Sequence, residues 1–286
     1  NERAVLPNKR TGIAQHMAYV IQNNTDVLIL TVLADLKCVA VYSVYHLITF
    51  SMRSIVTAFT GGMEALLGNM VAKGERETLQ KTFKSYKLLL TVLTVVLFGT
   101  TALLIVPFVR LYTAGVTDAN YFQPLFALIL VLAEAIHCLT LPCFNLTIAA
   151  NKLKESRIGA YGEAAINVVV SLALVWWNPL AGVALGTLAA AVFKSIYYIS
   201  FAARQVLGQK RSTMFLQFAA TAFALVLCAA AGVWLTRFVP IPNYWVWILF
   251  GCGGVLITGV AGVALGAFLY PGHLRSVWNS VLKKSK

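Results

Sequence analysis

Long apolar runs follow one another through most of the chain, and they constrain its fold more than any other feature. A helix needs roughly 20 apolar residues to cross about 30 Å of hydrocarbon at 1.5 Å per residue. The runs that meet this requirement lie at about residues 12–34, 38–60, 88–109, 121–149, 158–177, 180–203, 213–236 and 244–269. Only 12% of the 286 residues are charged, about half the share in soluble domains. We therefore predict an all-α integral membrane protein with about eight transmembrane helices.

The basic residues are distributed unevenly over the segments that connect these runs. If the amino terminus is cytoplasmic, 18 of the 23 lysines and arginines fall in cytoplasmic segments, and only Lys37, Arg110 and Arg237 fall in outer ones. Such a bias orients membrane proteins with their basic loops inside. We therefore predict a multi-pass protein of the cell (plasma) membrane with both termini in the cytoplasm. Attraction to anionic membrane lipids explains the net charge of +13, and no nucleic-acid partner is predicted.

Polar side chains line up on one face of four of the predicted helices, because residues three, four or seven positions apart share a face. The aligned residues are Gln15, Tyr19, Gln22 and Asp26; His46, Arg53, Thr57, Thr60 and Glu64; Glu134, His137 and Asn145; and Glu163, Asn167 and Ser171. Ionisable groups within a membrane usually face a bundle interior or a wet cavity. We predict that these four helices surround an aqueous cavity. The other four, whose only ionisable residue is Lys194, should face lipid or each other.

Several of these residues also have a simpler interpretation. Arg53 lies near the predicted inner boundary and could extend to the headgroups, as could Lys194. Asp26 lies too deep for its short side chain to do so, which favours a functional role. Glu134 and His137 are one turn apart and could share a proton or form a neutral structural pair. With no matching ligands elsewhere, they make a poor metal site.

Two segments between the spans have patterns of their own. The second span is predicted to continue as helix to about residue 72, with a bend at Gly61-Gly62. Residues 75–86 form a predicted amphipathic helix on the inner face, or an ordinary solvated connector.

The string GVALG occurs at 182–186 and again at 262–266, and this spacing of small residues allows helices to approach closely in lipid.

Motifs of soluble enzymes and of metal proteins are not found in the sequence. It contains no GxSxG, HExxH, Walker or dinucleotide-binding pattern. Its five cysteines form no CxxC pair. We therefore do not expect an enzyme.

Five strings, in order along the chain, resemble the flippases that carry lipid-linked oligosaccharides in polysaccharide biosynthesis. They are NTDVLIL from Asn24, VYSVYHLI from Val41, GNMVAKGERETLQKTFKSYKLL from Gly68, IAANKLKESRIGAYGEAAINVVVSLALV from Ile148 and NPLAGVALGTLAA from Asn178. This family belongs to the superfamily that also holds the multidrug and toxin extrusion (MATE) transporters. The resemblance covers about residues 10–205. It implies that residues 1–205 form the second six-helix lobe of a MATE-like transporter, and that residues 206–286 form two additional terminal helices and a basic cytoplasmic tail.

The resemblance also implies a function. Members of this family turn a polyprenyl-diphosphate-linked oligosaccharide from the cytoplasmic to the outer leaflet by alternating access, and the substrate lies between two lobes. We expect the first, amino-terminal lobe in the full-length chain. The predicted substrate-binding residues are Gln22, Arg53, Thr57 and Asn167, with the Arg53 guanidinium on the diphosphate. The predicted ion-coupling residues are Asp26, Glu134 and His137, for Na+ or H+, and no other cofactor is expected.

The sequence is also consistent with two other functions. A cation-coupled multidrug exporter of the same superfamily would need an aromatic, acidic cavity that holds organic cations. A membrane scaffold, or a non-transporting half that associates with a partner, would pack the same polar stripes against another protein, where they would remain dry.

Overall fold

The computed structural model describes residues 24–238 and 241–271, and this part of the chain is helical, without strands. Helix α1 is described from Asn24 to Leu33. The helices that follow are α2 (Leu36–Ala58), α3 (Met63–Lys73), α4 (Arg76–Tyr112), α5 (Pro124–Ala149), α6 (Leu153–Leu174), α7 (Pro179–Phe201), α8 (Arg211–Phe238) and α9 (Tyr244–Leu269). A π-helical segment, Ala202–Leu207, continues α7.

Seven of the helices in the described residues are long and apolar enough to cross a membrane, namely α2 and α4 to α9. They confirm seven of the predicted spans and, with them, an all-α, multi-pass membrane protein. The first predicted span, 12–34, is described only in its last part, as α1. The remainder of that span lies outside the described residues. The identity of the membrane and the side on which the termini lie stay predictions.

Between α2 and α3 the chain breaks rather than bends. Helix α2 ends at Ala58, and Gly62 has a φ of 78°. This is a left-handed conformation, which glycine adopts at little cost and which an α-helix cannot contain. The predicted continuous helix to about residue 72 is therefore wrong, and α3 is a separate short helix.

The segment 75–86 differs from its prediction as well. It is neither an isolated amphipathic helix nor a connector, because from Arg76 onward it is the beginning of α4. This helix has 37 residues and is therefore about 55 Å long. A hydrocarbon layer of about 30 Å accommodates little more than half of it, so roughly 25 Å projects beyond the bilayer core.

Helix α5 lies at the centre of the bundle. It packs against α7, α4, α2, α3 and α8, whereas α6 packs mainly against α7. Helices α8 and α9 pack on α4. They leave large apolar side chains exposed, among them Leu216, Phe223, Leu249 and Leu256. Such a surface is suited to acyl chains, which agrees with the prediction that the last two helices face lipid or each other.

Two glycines of the first GVALG string set the distance between α6 and α7. A Cβ on Gly182 would lie 2.6 Å from the carbonyl oxygen of Leu174, and one on Gly186 would lie 2.9 Å from the carbonyl oxygen of Asn167. Real Cβ atoms do not come that close to backbone, so only glycine permits this approach. Because Thr187 follows Gly186, the close contact also brings Thr187 beside Asn167. The second string packs less closely, because a Cβ on Gly262 would lie 3.4 Å from the carbonyl oxygen of Val92 in α4.

Candidate functional site

A buried ion pair joins α2 to α5. The Nη1 atom of Arg53 lies 3.2 Å from Oε1 and 3.1 Å from Oε2 of Glu134. The two side chains are only 14% and 4% exposed. Arg53 therefore does not extend to the headgroups in this structure, and its charge is balanced by a carboxylate in the middle of the bundle.

A second buried ion pair joins α7 to α6. The Lys194 ammonium lies 3.0 Å from both carboxylate oxygens of Glu163, and both side chains are more than nine-tenths buried. The simpler interpretation of Lys194, an extension toward the membrane edge, is therefore wrong. The reason is that Glu163 provides a counter-ion inside the bundle, where an unpaired ammonium would be very unfavourable.

His137 lies beside the second pair rather than acting with Glu134 alone. Its Nδ1 atom is 3.9 Å from Oε1 of Glu163, while both oxygens of Glu134 face Arg53. Glu163 thus competes with Glu134 for the proton that the sequence predicts His137 to share. The carboxylate within 4 Å of the imidazole belongs to Glu163, on a different helix.

Asp26 is the centre of a group of uncharged polar side chains. Its Oδ2 atom accepts hydrogen bonds from the Tyr42 hydroxyl at 3.0 Å and from the Thr187 hydroxyl at 2.7 Å. The Asn167 amide nitrogen donates to the same Thr187 oxygen at 3.1 Å. Within residues 24–238 and 241–271, Oδ1 of Asp26, Oδ1 of Asn167 and Oγ of Ser171 are buried without a hydrogen-bond partner. Such oxygens can hold a proton or a hard cation.

Both ion pairs and the Asp26 group contribute side chains to the lining of one small cavity of about 30 Å³. Its lining comes from α1, α2, α5, α6 and α7 and consists of Asp26, Tyr42, His46, Arg53, Ala133, Glu134, His137, Glu163, Thr187 and Ala191. The polar stripes of four helices therefore converge, and α7 joins them. The volume is enough for about two water molecules. The side chains themselves fill most of the space in which the sequence predicts a wet cavity.

Two predicted substrate residues are not part of this cluster. The Thr57 side chain is exposed, and its hydroxyl donates to the Arg53 carbonyl oxygen of its own helix at 2.9 Å. Gln22 lies outside the described residues. The cluster instead contains three residues that sequence reasoning did not select, namely Tyr42, Thr187 and Lys194. Lys194 could have been selected as the only ionisable group of its span, and Thr187 from its position next to a glycine at a predicted helix contact.

A much larger apolar groove lies on another face of the bundle, between α2, α4 and α9. Its volume is about 710 Å³. Leu47, Ile48, Phe108 and Trp247 are among the side chains that line it, together with a few serine and threonine hydroxyls but no carboxylate. The groove is therefore suited to a hydrocarbon chain rather than to an organic cation.

Comparison of the chain with protein-family models gives no match. Neither a curated protein nor a solved structure matches it significantly. Within the described ranges, no group of three or more His, Cys, Asp or Glu residues is arranged to hold a metal ion.

Proposed function

We propose that this chain forms one half of a transporter that moves a polyprenyl-diphosphate-linked oligosaccharide from the cytoplasmic to the outer leaflet, with the first lobe completing the cleft. The observation that carries the proposal is the convergence of four charged side chains, Arg53, Glu134, Glu163 and Lys194, from helices of membrane-spanning length, beside the buried Asp26 of α1. Charges in such a place are expensive, and where they persist they usually serve transport or proton transfer.

The Arg53–Glu134 pair supports a specific exchange of partners. In this pair a single nitrogen, Nη1 of Arg53, contacts both oxygens of Glu134, and an arginine freed from a carboxylate can bind two oxygens of a diphosphate through two of its nitrogens. For the diphosphate to take the place of Glu134, the carboxylate must lose its negative charge or move away. Protonation of Glu134 would do this, because it removes the attraction to Arg53 and leaves the guanidinium to the substrate. Proton uptake and substrate binding would then be linked through one side chain.

The Asp26 group is the better candidate for the coupling cation. The unpartnered oxygens of Asp26 and Asn167 provide negative charge and lone pairs in a site that the close α6–α7 contact keeps rigid. We therefore propose that Asn167 binds the cation rather than the substrate, to which the sequence prediction assigns it. Either Na+ or a proton on Asp26 would stabilise the group, because each one supplies positive charge to oxygens that have no hydrogen-bond partner.

The apolar groove offers a place for the polyprenyl tail. It runs beside α9 and along α2, where its lining residues, such as Leu47 and Ser51, lie on the helix face opposite to the one that carries Arg53. A molecule with its diphosphate at Arg53 would therefore have to pass around α2 for its tail to enter the groove. Rocking of two lobes around such a fixed site is the usual mechanism of secondary transporters.

One observation favours a second candidate, a non-transporting scaffold. The cavity is small and both ion pairs are complete, and a sealed helix contact would have these same features. The two functions differ in whether the charges exchange partners during a transport cycle.

The test is export of oligosaccharide in cells that carry the full-length protein. Arg53→Ala should abolish export at normal protein level, and Arg53→Lys should keep part of it, because lysine retains the charge but not the two-pronged geometry. Ser54→Ala is a control on the same helix, because the exposed Ser54 hydroxyl donates to the Phe50 carbonyl oxygen of its own helix, and this variant should export normally. Wild-type export by Arg53→Ala would refute the diphosphate role of this residue.

A further inference from the structure

A second cation-rich region lies where α8 begins, beside the first part of α4. Two hydrogen bonds mark its limits. The Gln80 amide nitrogen donates to the Leu207 carbonyl oxygen at 3.1 Å, and the Lys87 ammonium donates to Oε1 of Gln217 at 2.7 Å. The segments 80–87 and 207–217 therefore run side by side. They contain Lys81, Lys84, Lys87, Lys210 and Arg211 but no aspartate or glutamate, and we name these two segments the basic cleft.

Lys87 is held in the cleft without a carboxylate from the described part of the chain. Its ammonium lies 6.0 Å from the Phe83 ring centre and 5.6 Å from the Tyr270 ring centre. Gln217 is fixed in turn, because its amide nitrogen donates to the Leu269 carbonyl oxygen at 2.9 Å. An ammonium has three donors, and Gln217 uses one of them. Lys81 differs, because Glu77 neutralises it at 2.8 Å.

Arg211, the first residue of α8, has a hydrogen-bond donor that is not satisfied. Its Nε atom is buried and has no hydrogen-bond partner among residues 24–238 and 241–271. Leaving a buried donor unsatisfied is unfavourable, and more so when it belongs to a charged group. The backbone N–H groups in the first turn of α8 also have no acceptor within their own helix. An anion near the start of α8 would therefore be stabilised both by the Arg211 side chain and by these N–H groups.

The position of the cleft along the helices indicates where such an anion comes from. Lys87 lies eleven residues after Arg76, about 17 Å along α4, and roughly 25 Å of this helix projects beyond the hydrocarbon. Helix α9 ends at Leu269, beside Gln217 of α8, so the first residue of α8 lies about 9 Å farther along the bundle. Because the predicted third span begins at about residue 88, we expect the phosphate groups of the bilayer between the levels of Lys87 and Arg211. On the lipid side of α8, Leu216 and Phe223 are exposed, where acyl chains would lie.

We propose that the basic cleft binds the phosphate of an anionic phospholipid headgroup. Arg211 would supply donors and Lys84 and Lys210 would supply further positive charge, whereas the Lys87 ammonium is directed at Gln217 and at the Phe83 and Tyr270 rings. The bound lipid would join α8 and α9 to α4, at the end of the bundle that the charge bias assigns to the cytoplasm. The proposal depends on that predicted orientation only for the choice of leaflet, and it is independent of the transported substrate.

Binding of defined lipids to the purified chain in a neutral detergent tests this proposal. Native mass spectrometry should detect bound phosphatidylglycerol in preference to phosphatidylcholine. The double variant Lys84→Gln/Arg211→Gln should bind phosphatidylglycerol roughly tenfold or more weakly, because each charge near a lipid headgroup contributes on the order of 1 kcal/mol. Lys84→Arg, which keeps the charge, should bind it normally. The matched control Lys37→Gln/Arg110→Gln removes two cations at the other end of the helices and should also bind normally.

The remaining arms decide between a lipid and a free ion. Inorganic phosphate at millimolar concentration should not displace phosphatidylglycerol, because it lacks acyl chains to contact α8. Displacement would mean that the cleft takes free phosphate, and this would overturn the lipid assignment. Equal binding of the two lipids, or unchanged binding by the double variant, would overturn the proposal altogether. Because Lys84 and Arg211 are only half-buried, we expect an unchanged melting temperature of the double variant in phosphatidylcholine, so a folding defect would be recognised.

Discussion

Removing the carboxylate of Glu163 should expose how strongly the second ion pair is coupled. At 3.0 Å and an effective dielectric constant of about 20, two unit charges attract each other by roughly 5 kcal/mol before desolvation is counted. Glu163→Gln keeps the size of the side chain but leaves the Lys194 ammonium buried without its counter-ion. Breaking a buried pair in this way typically costs about 3–5 kcal/mol. We expect a loss of that order in the free energy of unfolding.

The assay is equilibrium unfolding by SDS titration in mixed micelles. The double variant Glu163→Gln/Lys194→Met should recover most of the loss, because it removes both charges and leaves a side chain of similar length. Glu77→Gln is the control. It breaks an exposed pair whose side chains are 71% and 84% accessible, and it should leave the unfolding midpoint unchanged. If Glu163→Gln unfolds like the wild type, or if the double variant is as unstable as the sum of the two single ones, the coupling inferred from the geometry is refuted.

Two further predictions concern packing and helix ends. Gly186→Ala should destabilise the protein by about 3 kcal/mol or more, because the added methyl group meets the backbone of α6. The control is Gly259→Ala, which should be neutral or slightly stabilising because no atom lies within 4 Å of the added Cβ. Equal unfolding midpoints of the two variants in the same SDS titration would contradict the close α6–α7 contact. Asn178→Ala should cost about 1 kcal/mol, since the Asn178 side chain accepts the Ala181 N–H hydrogen bond at the start of α7. Asn178→Asp, which keeps the accepting oxygen, should retain most of that stability, and the contribution of the cap would be refuted if it were as unstable as Asn178→Ala.

Periodicity along the chain predicted the parts of the site that depend on one helix at a time. The stripe that includes Arg53 and the pair of Glu134 and His137 could be recognised because a helix brings residues three or four apart to one face. The partners could not be recognised in this way. Arg53 meets Glu134 across 81 residues of sequence, and such a contact is set by the packing of α2 against α5. Lys194 illustrates the same limit, since its span looks apolar until Glu163 is placed beside it.

Helix boundaries were predictable only where local chemistry decides them. The glycine pair after the second span indicated a weak point, but the sequence alone does not distinguish a bend from the break that the positive φ of Gly62 produces. Similarly, residues 76–86 carry the charges of a surface segment, and their continuity with the third span depends on the contacts of α4 with its neighbours. The size of the cavity was unpredictable for a related reason. Polar side chains from different helices pair with one another, and the pairs fill the volume that the sequence predicts to be a cavity.

The accessibility of His137 to water during transport tests the account most directly. In a full-length protein without native cysteines, His137→Cys would be exposed to a charged, membrane-impermeant methanethiosulfonate reagent in intact membranes. Leu130→Cys, at a fully buried position of the same helix, serves as the reference. We expect His137→Cys to react well above that reference, because an alternating cavity must open to one side to admit its substrate. Equal protection of the two positions under all conditions would mean that the charges are sealed inside a static bundle, and the proposed transport function would then be wrong.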